Sequence, residues 1–191
     1  RVSVTGNIKF DQACKSLKDT GAGRFTRAML GLPDKAVVMI AGSTHEGEEE
    51  EVMKAYRLIL RDYPDAFLIL APRHPERLQK VESLVAGEGF RYHLRSRLTG
   101  ERLSSPGVII LDTMGELAAL YRVGTIVFVG GSWAHIGGHN VLEPAAFGMP
   151  VFFGPPTFNF SEISTMLKEC GVGIEVNDRE RLAAEAVRLL R

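Results

Sequence analysis

Cysteine is nearly absent. Cys14 and Cys170 are the only two in 191 residues, too few and too isolated for a disulfide framework or a cysteine zinc site, and so sparing a use suits a reducing compartment. An excess of charge is missing as well: 23 Lys and Arg balance 23 Asp and Glu. No net field favours nucleic acid or an anionic membrane, and either partner would need a local basic patch. The longest apolar runs, around Val37 to Ala41 and Phe67 to Ala71, fall far short of the roughly 18 to 20 residues that cross a bilayer. No signal-peptide pattern opens the chain, so the domain reads as soluble and cytosolic. Three familiar signatures are lacking too. There is no GxGxxG after a strand, no phosphate-binding P-loop and no GxSxG nucleophile elbow, which weakens redox, NTPase and serine-hydrolase readings. A receiver-type domain would need an aspartate at a strand exit, where the best exit carries Ala41-Gly42-Ser43-Thr44.

What is present is ordinary globular composition, 45% apolar and 24% charged, in a length that suits one core and one domain spanning residues 1–191. The chain begins at Arg1 inside an apolar alternation (Val2, Val4), without methionine, and so reads as a segment of something longer. Strand-length apolar runs recur at 36–42, 66–71, 108–111, 125–130 and 150–153, with a shorter one near 90–94. Stretches with helical spacing follow at 46–62, 75–86, 114–121, 141–147, 161–169 and 178–190. This alternation predicts an α/β fold, a Rossmann-like doubly wound parallel sheet. The run Glu48 to Glu51 at the start of the first long helix reads as a solvated first turn favoured by the helix dipole. One stretch, 95–106, has the chemistry of a flexible loop, with Thr99-Gly100 and Ser104-Ser105-Pro106.

Open parallel sheets bind ligands in loops at the carboxyl ends of strands, so those loops hold the candidates. Ser43/Glu46, Thr113/Glu116 and Asn140/Glu143 each have the spacing of a capping box. The first could be nothing more, although Gly42 also lets backbone N–H groups turn toward an anion. Glu143 lies behind a loop with four glycines in eleven residues, Gly130 to Asn140, where a carboxylate can accept hydrogen bonds from vicinal ribose hydroxyls. Arg73, at a strand exit before Pro75, is either a surface ion-pair residue or a phosphate grip. His135, His139 and Glu143 would form a metal face on a continuous helix, but Gly137 and Gly138 argue against that helix. Loop histidines that hydrogen-bond a phosphate or a sugar carboxylate fit better.

Taken in order, these loops resemble the C-terminal half of the bacterial 3-deoxy-D-manno-octulosonic acid (Kdo) transferases, GT-B glycosyltransferases. The resemblance runs from Thr5-Gly6-Asn7-Ile8-Lys9-Phe10-Asp11 through Ala41 to Glu49, Ala71 to Arg77 and Asp112 to Leu117. It closes with Phe128 to Ser132, Gly137 to Ala145 and Gly154-Pro155. It implies transfer of Kdo from CMP-Kdo to a lipid A precursor in lipopolysaccharide biosynthesis, with inversion, and it makes this chain the donor-binding half. CMP would lie against Pro72 and Arg73, Met114, Gly115 and Glu116, and Asn140, Val141, Leu142 and Glu143. Ser43, Thr44, His45 and His139 are weaker candidates facing the same cleft. The resemblance implies no metal and no cofactor. The general base, acceptor site and membrane anchor would belong to an N-terminal domain, so the isolated half would be inactive. The full-length enzyme would work on the cytoplasmic face of the inner membrane, with no nucleic-acid partner. Two alternatives stay open: the donor-binding half of a UDP-sugar GT-B enzyme or epimerase, and a non-catalytic nucleotide-binding module.

Overall fold

A computed structural model describes residues 25–155 and 157–191, leaving the Thr5 to Asp11 motif and Cys14 outside the described residues. Seven strands form one sheet: β1 Val38–Thr44, β2 Phe67–Pro72, β3 Tyr92–Leu94, β4 Gly107–Ile110, β5 Ile126–Val129, β6 Val151–Phe153 and β7 Gly173–Glu175. Their order is β3-β4-β2-β1-β5-β6-β7, and every pairing is parallel. The helices are α1 Glu48–Ile59, α2 Leu78–Gly87, α3 Leu117–Leu120, α4 Leu142–Ala146, α5 Ser161–Glu169 and α6 Arg179–Leu190. None of them is long and apolar enough to cross a membrane.

Because side chains alternate across a strand, near-continuous apolar runs feed two cores. Val38, Ile40, Phe67, Ile69, Val127, Val129, Val151 and Phe153 face one side and pack against Leu120, Tyr121, Leu142, Ile163 and Leu167. Met39, Ala41, Leu68, Leu70, Phe128 and Phe152 face the other, under Val52, Met53, Tyr56, Val81, Val85, Leu182 and Ala186. This is the doubly wound arrangement that the alternation of strands and helices predicts.

Several boundaries differ from the expectation, each for a local reason. The first long helix starts at Glu48 rather than at residue 46, because Gly47 before it is left-handed (φ +89°). The helix expected at 75–86 opens as a 3-10 turn, Pro75–Arg77, before α2. The one expected at 114–121 shrinks to α3, since left-handed Gly115 (φ +74°) blocks an earlier start. Strand β7 was not expected: three residues with one apolar side chain carry too little pattern. The stretch 95–106 is tied down rather than free. Leu98 and Leu103 pack on the core, Leu103 N donates to Gly31 O at 2.9 Å, and Ser105 Oγ bonds Asp65 at 2.9 Å.

Candidate functional site

The chain leaves β1 toward β2 on one side and returns to pair β5 on the other, so the strand order reverses at the β1/β5 boundary. Ligands of open α/β sheets bind in the crevice at such a switch point. Here the crevice lies between the loop after β1 (residues 45–47) and the long loop after β5 (130–141).

Glu48 joins these two loops. It is 1% exposed, and its carboxylate accepts four backbone N–H groups: His45 at 2.9 Å, Gly131 at 2.8 Å, Trp133 at 3.0 Å and Ala134 at 3.2 Å. The next residue, Glu49, is fully buried and accepts from Thr44 Oγ1 and from both terminal nitrogens of Arg77. The expectation of a solvated acidic turn is therefore wrong at its first two positions, Glu48 and Glu49. Buried carboxylates persist only where donors surround them, and two loops supply those donors. The Ser43/Glu46 capping box does not form either. Ser43 is itself left-handed (φ 55°), the α1 cap position is Gly47, and the reach-back to a preceding N–H is made by Glu48 to His45.

Two histidines close the crevice from opposite sides. His45 Nε2 and His139 Nε2 lie 2.7 Å apart, and the His74 ring stands edge-on to His45, with centroids 5.3 Å apart. Burial lowers the pKa of both. His139 falls to about 4, and His45, Arg73 and His74 add to the effect of burial. For His45 burial again acts first, partly opposed by Glu48. Residues 130–141 contain no helix and His135 is left-handed (φ 56°), so His135, His139 and Glu143 do not share a helical face. Among the described residues no cluster of His, Cys, Asp or Glu could hold a metal.

Arg73 stands exposed just past β2, anchored by its own N–H on Thr44 O at 2.9 Å. Glu143 opens α4. Asn140 Nδ2 donates to its Oε1 at 3.0 Å, while Asn140 Oδ1 accepts Leu142 N at 3.1 Å. Asn140 thus fixes both the carboxylate and the first turn. Burial raises the Glu143 pKa, and the Asn140 hydrogen bond partly offsets that. On the β4 side, Glu116 is held by Arg95 Nε at 3.3 Å and by the Thr113 hydroxyl, so Thr113 meets Glu116 through side chains instead of capping the α3 backbone. Met114 projects with 74% exposure, and Gly115 follows it in the open turn.

The candidates thus sort by what they can offer. His45, Arg73 and His139 are brought together, and Asn140 and Glu143 form a bonded pair. Glu116 is already ion-paired. Thr44 is fully buried with its hydroxyl on Glu49, so it does not face the cleft as expected. The side chains of Val141 and Leu142 are buried, which leaves only their main-chain groups for a ligand. Pro72, the last residue of β2, positions Arg73. Sequence reading missed Glu48, Glu49, Arg77 and Trp133. Trp133 fastens the glycine-rich loop, since its ring packs on Phe128 and Nε1 donates to Val176 O at 2.9 Å. A signal for Glu48 existed in four consecutive glutamates placed directly after a strand exit, where a buried carboxylate can gather loop amides. The same two loops also line a cavity of about 510 Å³, with Glu46, Trp133, His135, Pro155, Asn177 and Arg179 among its walls. Of the expected residues His135 borders it, whereas Arg73, His45, His139, Asn140 and Glu143 do not.

A seven-stranded parallel sheet covered by helices on both faces is Rossmann-like, the fold of the C-terminal half of GT-B glycosyltransferases. The C-terminal CMP-Kdo binding domain of WaaA from Acinetobacter baumannii superposes with a TM-score of 0.74 at 27% identity, over 95% of this chain and 89% of that one. No family model matches the chain. The 3-deoxy-D-manno-octulosonic acid transferase of Haemophilus influenzae is 41% identical over 191 residues, taking in 100% of this chain and 44% of that protein. The transferase of the same name from Aquifex aeolicus is 36% identical over 190 residues, 100% of this chain and 48% of that protein. Over its whole length the chain is similar to the 3-deoxy-D-manno-octulosonic acid transferases. It spans a little under half the length of these curated relatives.

Proposed function

We propose that this chain is the donor-binding half of an inverting Kdo transferase, holding CMP-Kdo while Kdo passes to a lipid A precursor in lipopolysaccharide synthesis at the inner membrane. The observation that supports the reading is a pair of groups of opposite charge on the segments that follow β2 and β5, beside the switch point. Arg73 makes no ion pair among the described residues, and Glu143 is pre-oriented by Asn140. The likeness to a CMP-Kdo binding domain supports this donor over a UDP-sugar.

In this reading Glu143 accepts the ribose hydroxyls, and the open turn at Met114, Gly115 and Glu116 offers main-chain groups to the cytosine edge. Arg73 and the amides around Asn140 meet the phosphate, and Ser43, His45 and His139 face the sugar side. As CMP departs, negative charge gathers on the phosphate while the anomeric carbon becomes oxocarbenium-like. A donor already aimed at that oxygen stabilises this state more than the ground state, typically by roughly 3 to 4 kcal/mol per group. A single phosphate asks for less neutralisation than a diphosphate, so the proposal includes no metal and no cofactor. The base that deprotonates the acceptor hydroxyl, and the contact with lipid, are assigned to the other half of the enzyme.

The test is transfer of Kdo from CMP-Kdo to a lipid A precursor by the full-length enzyme containing this chain. Activity that falls at least tenfold in both Arg73→Ala and Glu143→Ala is the expected result. Transfer from a UDP-sugar instead of CMP-Kdo would contradict it.

A further inference from the structure

Resting on that reading of the crevice, we propose that His45 and His139 form a proton-binding pair that takes up one proton from solvent when the anionic part of the donor enters. The contact itself sets the proton count. The Nε2 atoms are 2.7 Å apart, the ring planes lie within 4° and the centroids are 5.0 Å apart, so the rings meet nitrogen to nitrogen. Such a contact holds one bridging hydrogen. In the neutral pair one ring carries its hydrogen at Nε2 with a lone pair at Nδ1, and the other ring carries the reverse. One further proton can add without breaking the bridge, at Nδ1 of the donating ring. It converts a neutral N–H···N bond into a charge-assisted one. No heavy-atom bond changes, and the pair gains one positive charge.

Both rings are held from outside. Glu48 Oε2 accepts the His45 N–H and the Gly131 N–H, which ties the two loops at the base of the pair. A Cβ on Gly131 would stand 2.8 Å from His139 Cδ2, so only glycine there lets the ring reach its partner. The charges facing the pair come from α1 and from the segment after β2. Glu48 and Glu49 of α1 favour a proton on His45, whereas His74 and Arg77, beyond β2, oppose it. On His139 burial, His45, Arg73 and His74 all oppose it. An anion beside Arg73 cancels one of those cations and adds negative charge, so the proton affinity of the pair rises. Above the raised pKa and below the free one nothing is taken up. Between them uptake approaches one proton, and anion affinity climbs as pH falls through that window.

Calorimetric titration of CMP at about pH 6, in buffers of different ionisation heat, reads this uptake directly. The expected result is a buffer-dependent enthalpy corresponding to a substantial fraction of one proton, lost in His45→Gln and His139→Gln and kept in His93→Gln, a histidine exposed on β3. Inorganic phosphate serves as a second probe. If phosphate brings the same uptake while CMP binds no better than UDP, the pair stands and the donor reading falls. Histidine ring titration by NMR on the unaltered chain needs no variant. The phosphate of CMP titrates near pH 6 itself, so the pair's uptake is read as the difference between the unaltered chain and the histidine variants. Two rings that titrate independently near 6.5, or ring titrations that neither saturating anion moves, would overturn the proposal, as would a buffer dependence that is the same in the unaltered chain and in both histidine variants.

Discussion

Replacing Glu48 by alanine removes the acceptor for four backbone N–H groups, those of His45, Gly131, Trp133 and Ala134. Hydrogen bonds to a charged group contribute roughly 1.5 to 3 kcal/mol each, so a plain sum would reach about 6 to 12 kcal/mol. That rivals the whole stability of a domain, about 5 to 15 kcal/mol, and relaxation of the loops with entry of water must reduce it. Breaking a buried charged network by deleting one partner typically costs about 3 to 5 kcal/mol, and this is the expected loss in denaturant unfolding. For a domain of this size it corresponds to a drop in Tm of roughly 6 to 20 °C. Glu48→Gln discriminates further. Each carboxylate oxygen receives two of the four donors, so an amide must turn its NH2 toward two N–H groups whichever way it sits. Its loss should be about half that of alanine. An alanine variant within about 1 kcal/mol of the unaltered chain, or a glutamine variant equal to it, would refute the claim that Glu48 assembles the crevice.

Glu143→Gln should uncouple stability from binding. Burial raises the Glu143 pKa, so its ionised form weakens the fold as pH rises through the window between the ordinary and the raised value. The amide should keep or slightly increase Tm at neutral pH while CMP affinity falls about tenfold or more, read by paired unfolding and titration experiments. Arg77→Met should strand the fully buried Glu49 without its bidentate partner and lower unfolding free energy by about 3 to 5 kcal/mol. Gly42→Ala puts a methyl group against the Tyr121 hydroxyl, which sits directly over β1; an expected loss of about 1 to 3 kcal/mol in chemical denaturation checks this close approach.

Strong periodicity made the sheet legible. Ala36 to Gly42 and Ala66 to Ala71 could be read as buried parallel strands because both of their faces are apolar. Strand β7 could not, since Gly173, Ile174 and Glu175 pair only at the sheet edge and leave no pattern. The positions of Arg73 at a strand exit and of Asn140 and Glu143 behind a glycine-rich loop were legible too. Glu48 was not, because a glutamate at a helix start ordinarily meets water. Its burial depends on amides supplied 83 to 86 residues later in the chain, a relation that no local spacing encodes. The same holds for the meeting of His45 with His139, 94 residues apart. Each histidine reads as a loop residue, and only the β1/β5 pairing makes them neighbours. Capping-box spacing misled where glycine reset the backbone: at Gly47 the helix start moved, and the Ser43/Glu46 pair lost its role.

In the proposed role this crevice receives the nucleotide of CMP-Kdo. Calorimetric titration of the chain with CMP, UMP and UDP, alongside Arg73→Ala and Glu143→Ala, tests it most directly. CMP is expected to bind in preference to both uridine nucleotides, and each substitution to weaken CMP by about tenfold or more. Preference for UDP, or CMP binding that neither substitution alters, would contradict it.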